Sequence, residues 1–190
     1  MTAWLTGLAI GEVVLRPATG NDWKAIADLH AESWRATYRG ALGDRYLASE
    51  VVEDRRALWQ KRFDEPEAGQ HVIVAERGTM LVGFGCAYVA LDSEWGSLLD
   101  NLHVRESAQG RGLGKRLLRA IGAHCAKRAP DCDLYLWVIQ KNDDAVNFYL
   151  AQGAENVGSD LWDAPGGTQV PTFRLAWKAG QLPGTVWPKS

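Results

Sequence analysis

The apolar positions of the chain follow two spacings, and their succession predicts strands and helices in alternation. Residues 13–17 form a short β-branched run closed by proline, which is typical of an edge strand. A helix of about 17 residues should begin after Asn21-Asp22, a pair suited to an N-cap, and end at Gly40. Its apolar-rich face is formed by Ile26, Leu29, Trp34 and Tyr38. A second helix is predicted at residues 53–63, before Glu65-Pro66 breaks the pattern.

The middle of the chain predicts a hairpin, a third strand and a crossover helix. Residues 71–75 and 81–89 are strand-like runs joined by a short connection that contains glycine, and another strand is expected at residues 98–104. The apolar spacing of residues 113–129 indicates an amphipathic helix. Residues 134–138 are nearly all apolar, as in a strand buried on both faces, so this strand should run parallel to its predecessor in a βαβ unit.

The last third of the chain predicts one short helix and two strands. The helix should begin at Asn142 and stop at Gly153, and strands are expected at residues 172–177 and near residues 155–161. The order β-αα-βββ-α-β-α-β, with one further strand, belongs to the α/β class. A length of 190 residues favours one domain, with a core at about 13–178 and a tail at 179–190.

Composition excludes several classes of protein. The three cysteines have neither the number of a disulfide framework nor the spacing of zinc ligands, so we expect no metal site and a reducing compartment. The 21 basic and 23 acidic residues give a net charge of −2, which argues against binding to nucleic acid or to an anionic membrane. Because the chain shows neither a signal peptide nor an apolar stretch of membrane-spanning length, we expect a cytoplasmic protein.

The most informative segment is Gln109-Gly110-Arg111-Gly112-Leu113-Gly114-Lys115, which lies between a predicted strand and the amphipathic helix. Glycines let the backbone approach a ligand, and a helix start presents unpaired N–H groups with a partial positive charge. Arg111, Lys115 and Arg116 add cations at this positive end, which favours a bound phosphate or pyrophosphate. A glycine-rich turn before a basic surface helix is the simpler alternative.

Two other phosphate-binding motifs fail on spacing. A Walker A loop requires a glycine five residues before Gly114 and a serine or threonine after Lys115, but Gln109 and Arg116 occupy those positions. A dinucleotide fingerprint would need its third glycine at the position of Lys115. The segment fits Q-x-x-G-x-G, formed by Gln109, Gly112 and Gly114.

This loop resembles the one with which acetyltransferases of the GNAT superfamily hold the pyrophosphate of coenzyme A. The resemblance extends from about residue 13 to residue 177: residues 100–104 are similar to the fourth strand of the family, and residues 142–153, with Asn142, Tyr149 and Gly153, to its second cofactor motif. Ala154 departs from the pattern, which usually has a large apolar residue there. The resemblance implies a single-domain fold with a mixed central sheet of six to seven strands, about four flanking helices, and often a homodimer.

The resemblance also implies acetyl-CoA as cofactor and a set of residues that contact it. The main chain at Leu102 and Val104 would bond the pantetheine arm, and Asn142 and Tyr149 would lie near the thioester. The full set is Leu102, His103, Val104, Gln109, Gly110, Arg111, Gly112, Leu113, Gly114, Lys115, Asn142 and Tyr149.

The first predicted helix resembles that of a subgroup in which the first two helices wall the acceptor site. His30, Trp34 and Tyr38 repeat every four residues and combine polar tips with aromatic bodies, which suits a pocket wall for a substrate. Ordinary core packing of Trp34 is an equal alternative.

Acetyl transfer to an amine needs a proton for the departing thiolate and a free amine lone pair. Tyr149 resembles the acid of the family, and a tyrosine packed between helix and sheet is the alternative. Asp100 is the leading candidate base, acting directly or through water. On a regularly alternating strand its carboxylate would interrupt the apolar face of Leu98, Leu102 and Val104, although a structural role explains the same position.

Three other groups are weaker candidates for the base. His103 would lie on the opposite face of the strand, with Leu99 and Asn101, where a lone histidine is more often structural. His30 and Glu32 come from the acceptor-side helix.

The expected activity is transfer of an acetyl group from acetyl-CoA to a primary amine of a small molecule or a protein. The amine would attack directly in a ternary complex, without a covalent enzyme intermediate. A non-catalytic acyl-CoA-binding sensor is the alternative of another class. A P-loop nucleotide-binding domain is disfavoured by the spacing above.

Overall fold

Seven strands and four α-helices occupy the part of the chain described by the computed structural model, residues 12–185. The strands are β1 Val13–Pro17, β2 Gln70–Arg77, β3 Met80–Asp92, β4 Gly96–Val104, β5 Leu134–Ile139, β6 Glu155–Ala164 and β7 Thr168–Trp177. The α-helices are α1 Trp23–Thr37, α2 Val51–Asp64, α3 Leu113–Arg128 and α4 Asp143–Ala151. A π-helical turn, Tyr46–Glu50, precedes α2, and a 3₁₀ turn, Glu106–Ala108, precedes the glycine-rich loop.

The strands form one mixed sheet in the order β1-β2-β3-β4-β5-β7-β6. Strands β4 and β5 are parallel and are joined through α3, whereas the other neighbouring strands are antiparallel. The predicted α/β class, element order and parallel βαβ unit are therefore confirmed.

Strands β4 and β5 separate soon after they meet. Their register contains only Ser97 with Leu134 and Leu98 with Tyr135, although β4 continues to Val104 and β5 to Ile139. Beyond these pairs the two strands diverge and leave an opening in the centre of the sheet. This opening is the structural feature that positions the candidate site.

Apolar side chains cover both faces of the sheet. On one face α3 contributes Leu117, Leu118 and Ile121, which are fully buried against strand residues such as Leu136. On the other face α1 and α2 form a second cluster with β2 and β3, centred on Trp59 and Phe84.

Two local features concern the start of α1 and the segment after β7. Asp22 does not cap α1 with its side chain, because its carboxylate binds Arg16 at 2.8 Å and accepts a 2.6 Å hydrogen bond from the Thr19 amide. The described part of the predicted tail at 179–190 packs against the rest of the fold. Leu182 is buried in the core, and the Pro183 backbone packs so closely on α3 that a Cβ at Gly122 would lie 2.0 Å from its oxygen.

Candidate active site

A cleft of about 610 Å³ opens where β4 and β5 diverge. Its walls come from residues 99–104 of β4, residues 136–138 of β5, the glycine-rich loop with the start of α3, the end of α1, and α4. Residues that lie far apart in the sequence thus surround one cavity. The cavity has the size and concave form of a small-molecule site.

The start of α3 presents unpaired amides to this cleft. Gly112 is the N-cap with φ +74°, no side chain caps the helix, and the first intrahelical bond runs from the Arg116 amide to the Gly112 carbonyl at 3.1 Å. The preceding N–H groups of the first turn have no intrahelical acceptor and carry the positive end of the helix dipole. Such a helix start binds phosphate groups.

The loop before α3 has the conformation that close approach of an anion requires. Gly110 and Gly112 have φ of +71° and +74°, a region that favours glycine, and no atom lies within 4 Å of where their Cβ atoms would be. Nε2 of Gln109 donates a 2.9 Å hydrogen bond to the Val104 carbonyl, which ties the loop to the end of β4. Lys115 lines the cleft, whereas Arg111 is exposed and does not.

Helix α4 brings Tyr149 and Asn142 to the cleft. Asn142 is the N-cap of α4, and its Oδ1 accepts a 3.2 Å hydrogen bond from the Ala145 amide. Tyr149 is 9% exposed, and its ring packs edge-on against Trp177 at 6.1 Å. Burial, together with the nearby Tyr38, raises the pKa of Tyr149 well above its ordinary value, so the phenol keeps its proton at neutral pH.

A β-bulge at Asp100 changes the face of the sheet to which the later side chains of β4 point. Leu99 pairs with Ala87 of β3 and Asn101 pairs with Cys86, so Asp100 is the extra residue without a partner. Its Oδ2 accepts a 2.7 Å hydrogen bond from Arg62 of α2 and a second hydrogen bond from the Asn101 amide group.

The bulge overturns two predictions about the faces of β4. Leu102 and Val104 pack with the α3 core, so they do not share the face of Asp100. His103 lies on the α1 side, where its Nδ1 is 2.8 Å from Oγ of Ser33, rather than on the side of Leu99. The predictions were wrong because one inserted residue reverses the alternation beyond it.

The predicted acceptor wall is only partly at the cleft. Tyr38 lines it, and burial raises the pKa of Tyr38 to about 12. His30 is 1% exposed, and its Nδ1 accepts a 2.9 Å hydrogen bond from the Trp59 indole, so it belongs to the core. Trp34 is 7% exposed and packs against Trp162 and Arg55, away from the cleft. The four-residue repeat predicted that these three residues line one wall of the site. Only Tyr38, at the end of the helix, does so, and the two earlier residues are buried in the core.

A sequence profile of the Acetyltransferase (GNAT) family matches residues 23–154. The chain belongs to this family. The N-acetyltransferase YuaI of Bacillus subtilis (strain 168), named as uncharacterized, is 29% identical over 168 residues, which cover 87% of this chain and 92% of YuaI. The peptidyl-lysine N-acetyltransferase YiaC of Escherichia coli (strain K12) is 37% identical over 86 residues, 45% of this chain and 53% of YiaC.

The GNAT fold is also found in a solved structure, that of the PaiA N-acetyltransferase of Thermoplasma acidophilum in complex with coenzyme A. It superposes with a TM-score of 0.67 at 19% identity and covers 88% of this chain and 99% of that chain. The protein is thus an acetyl-CoA-dependent N-acetyltransferase with the mixed seven-stranded sheet of its family.

The residues of this GNAT enzyme fit coenzyme A at the cleft. Of the implied cofactor contacts, only exposed Arg111 lies outside the cleft lining. The uncapped α3 amides and Lys115 match a pyrophosphate, and the opening between β4 and β5 leaves β4 backbone free for the pantetheine arm. Among residues 12–185, no group of three or more histidine, cysteine or acidic side chains could hold a metal ion. The same range has no helix with the length and apolar character to cross a membrane.

The cleft lining of the acetyltransferase also contains residues that were not predicted from the sequence, among them Ser33, Thr37, Trp137 and Phe148. Ser33 and Thr37 lie on α1, one residue before Trp34 and Tyr38. They were missed because the aromatic residues were predicted to form the side of the helix that faces the pocket. Trp137 was predicted to be part of a strand buried on both faces, but it is 37% exposed. Phe148 precedes Tyr149 on α4, and its ring lies 3.5 Å from where a Cβ of Gly114 would be, which is an ordinary packing distance.

Proposed function

We propose that this enzyme transfers the acetyl group of acetyl-CoA to a primary amine of a small molecule or a protein, by direct attack in a ternary complex. One observation carries the proposal: the uncapped start of α3, the opening between β4 and β5, and the buried Tyr149 all border a single cleft. An anion site, a slot for an extended arm and a proton donor therefore lie in one cavity.

The cofactor would be held along the length of the cleft. Acetyl-CoA supplies the acetyl group as a thioester. The amides of residues 112–115 and the Lys115 ammonium would bind its pyrophosphate, since helix starts and cations both favour anions. The main chain at Leu102 and Val104 would hydrogen-bond the pantetheine arm in the place that β5 leaves open.

Tyr149 would hold the proton for the leaving sulfur. A thiol has a pKa near 8.5, so its departure is easier if an acid stands beside it. Tyr149 is protonated at neutral pH and lines the cleft. The phenolic proton is thus available on the cleft side of α4.

Asp100 would receive the acceptor amine on the opposite side of the opening. Arg62 and Asn101 both bond Oδ2, which leaves Oδ1 without a side-chain partner in the described chain. An amine is mostly ammonium at neutral pH, and a carboxylate both attracts the ammonium and takes its proton, directly or through water. The Arg62 contact fixes the orientation of the carboxylate.

Two kinds of primary amine are supported as acceptors. The 86-residue likeness to a peptidyl-lysine acetyltransferase supports a lysine side chain as one acceptor, and the aromatic Tyr38 and acidic Asp100 suit small amines equally. Thiol release from acetyl-CoA, measured against a panel of small amines and lysine peptides, tests the proposal. Turnover of at least one amine supports it, whereas coenzyme A binding without turnover of any amine favours the acyl-CoA sensor.

The compartment and the assembly state are proposed on the same grounds as in the sequence analysis. We infer a reducing, cytoplasmic setting from three cysteines without framework spacing, of which Cys86 and Cys125 are buried thiols. A homodimer is inferred from the family resemblance. Light scattering of the purified protein tests the dimer.

A further inference from the structure

The guanidinium of Arg174 on β7 lies between two indole rings. Its Cζ is 3.9 Å from the ring centroid of Trp95 and 4.4 Å from that of Trp137. Trp137 is the register partner of Arg174 across β5 and β7, and Trp95 lies in the turn before β4. A guanidinium that packs over aromatic rings is restricted in its orientation, and its N–H donors lie in its own plane.

Arg174 lacks a directly paired counter-charge within the described chain. Its Nε is buried without a hydrogen-bond partner, and no carboxylate of residues 12–185 forms an ion pair with it. Asp92 is close enough to contribute electrostatically, but its Oδ1 accepts hydrogen bonds from the amides of Glu94 and Trp95 at 2.7 and 2.9 Å. Asp92 therefore fixes the turn that carries Trp95. A partly buried cation with free in-plane donors is suited to an anion from outside the chain.

Trp137 is the one member of the sandwich that lines the cleft, and it connects Arg174 to the acceptor side. Leu98 and Tyr135 are the last pair between β4 and β5. Two residues further along each strand come Asp100 and Trp137, and both line the cleft. Trp137 points away from the α3 core, because its neighbours Leu136 and Val138 belong to that core. Asp100 and Trp137 are thus on the same sheet face, on the two sides of the opening.

We propose that Arg174, held by Trp95 and Trp137, binds a carboxylate of the acceptor, so that the acceptor class is an amine that also carries a carboxylate. The inference rests on the proposed amine transfer, with the ammonium at Asp100 and the carboxylate at Arg174. A guanidinium edge binds a carboxylate through two parallel hydrogen bonds and gives little to an amide in its place. Free amino acids and lysine peptides with a neighbouring acidic residue share this chemistry.

The experiment compares matched acceptors in the wild-type enzyme and in Arg174→Gln. The panel pairs each free amino acid with its amide, and each lysine peptide that carries glutamate with one that carries glutamine. We expect the wild type to prefer the carboxylate member by about tenfold or more in kcat/KM, through KM, and Arg174→Gln to lose that preference. Arg174→Lys keeps the charge without the planar fork and should be intermediate. Arg128→Gln removes an exposed arginine outside the cleft and should keep the preference.

Every result decides the inference. The inference is overturned if Arg174→Gln changes kcat/KM equally for both members of each pair. The kind of pair that loses its preference shows whether the acceptor is an amino acid or an acidic peptide. If no acceptor is turned over, the proposed function fails separately, and calorimetry with the same compounds then decides. The inference is supported if Arg174→Gln weakens binding of the carboxylate member of each pair more than binding of the amide member. It is overturned if the substitution affects both members equally, or if neither member binds.

Discussion

Oδ2 of Asp100 lies 2.7 Å from Nη1 of Arg62, which joins the bulge of β4 to helix α2. Arg62 is itself held over the rings of Trp59 and Tyr88, at 5.0 and 5.6 Å from their centroids. The carboxylate is therefore anchored at one oxygen, while the other has no side-chain partner within residues 12–185, and Asp100 lines the cleft. This arrangement fits a group that positions and deprotonates an amine better than one that only stabilises the strand.

Replacing Asp100 with asparagine tests this role. The amide side chain would keep a hydrogen bond to Arg62 but could neither attract an ammonium nor take its proton. We expect kcat/KM for the amine to fall about 100-fold while coenzyme A affinity is unchanged, and the residual activity to rise with pH as the amine loses its proton unaided. Asp163→Asn, an exposed change on β6, is the control. Activity equal to that of the control would assign Asp100 to structure alone.

Replacing Tyr149 with phenylalanine removes the proposed acid and keeps the ring packed against Trp177. Because only the hydroxyl is lost, we expect kcat to fall about 100-fold with little change in the dissociation constant of acetyl-CoA. Steady-state kinetics and calorimetry measure the two quantities. Tyr135→Phe on β5 is the matched control, since that tyrosine is also buried but does not line the cleft. Unchanged turnover in Tyr149→Phe would remove the acid from the mechanism.

The glycine-rich loop was predictable because its information is local. Consecutive residues 109–115 set both the turn and the helix start, and the structure places all of them except Arg111 on the cleft lining. Tyr149 was found in the same way, from a motif contained in one short helix. Neither prediction needed knowledge of which strands are neighbours.

Features that depend on tertiary pairing were missed. The bulge at Asp100 follows from the register of β4 on β3, and the burial of His30 follows from Trp59, 29 residues later in the chain. Arg174 could not be recognised because its aromatic partners come from a turn and another strand. Composition and periodicity carry no signal for such contacts between distant residues.

Gly112→Glu tests the anion site at α3. The carboxylate would meet the pyrophosphate at the helix start, so we expect calorimetry to show at least a 100-fold loss of coenzyme A affinity. The backbone there has φ +74°, and a side chain adds strain of about 1–2 kcal/mol whatever its charge. Gly78→Glu is the control for strain, because Gly78 has φ +63° in the turn between β2 and β3. Micromolar binding retained by Gly112→Glu would refute the placement.

His103 should make the stability of the fold depend on pH. Burial, with a smaller contribution from Arg55, lowers its pKa from 6.5 to about 4. The unfolded chain then takes up a proton at higher pH than the folded chain does. The contribution of neutral His103 to the free energy of unfolding is therefore complete above pH 6.5 and declines as the pH falls. It is lost by about pH 4, a total loss of roughly 3 kcal/mol.

Urea unfolding across this pH range measures the effect. His103→Gln keeps a polar partner for Ser33 but cannot titrate, so its free energy of unfolding should fall less steeply than that of the wild type between pH 6.5 and 4. The slope should not vanish, because burial also lowers the pKa of His30 and His71. Ser33→Ala removes the same hydrogen bond without removing a titrating group, and should shift the whole curve by a constant amount. Parallel curves for wild type and His103→Gln would show that His103 takes up its proton equally in the folded and unfolded chains.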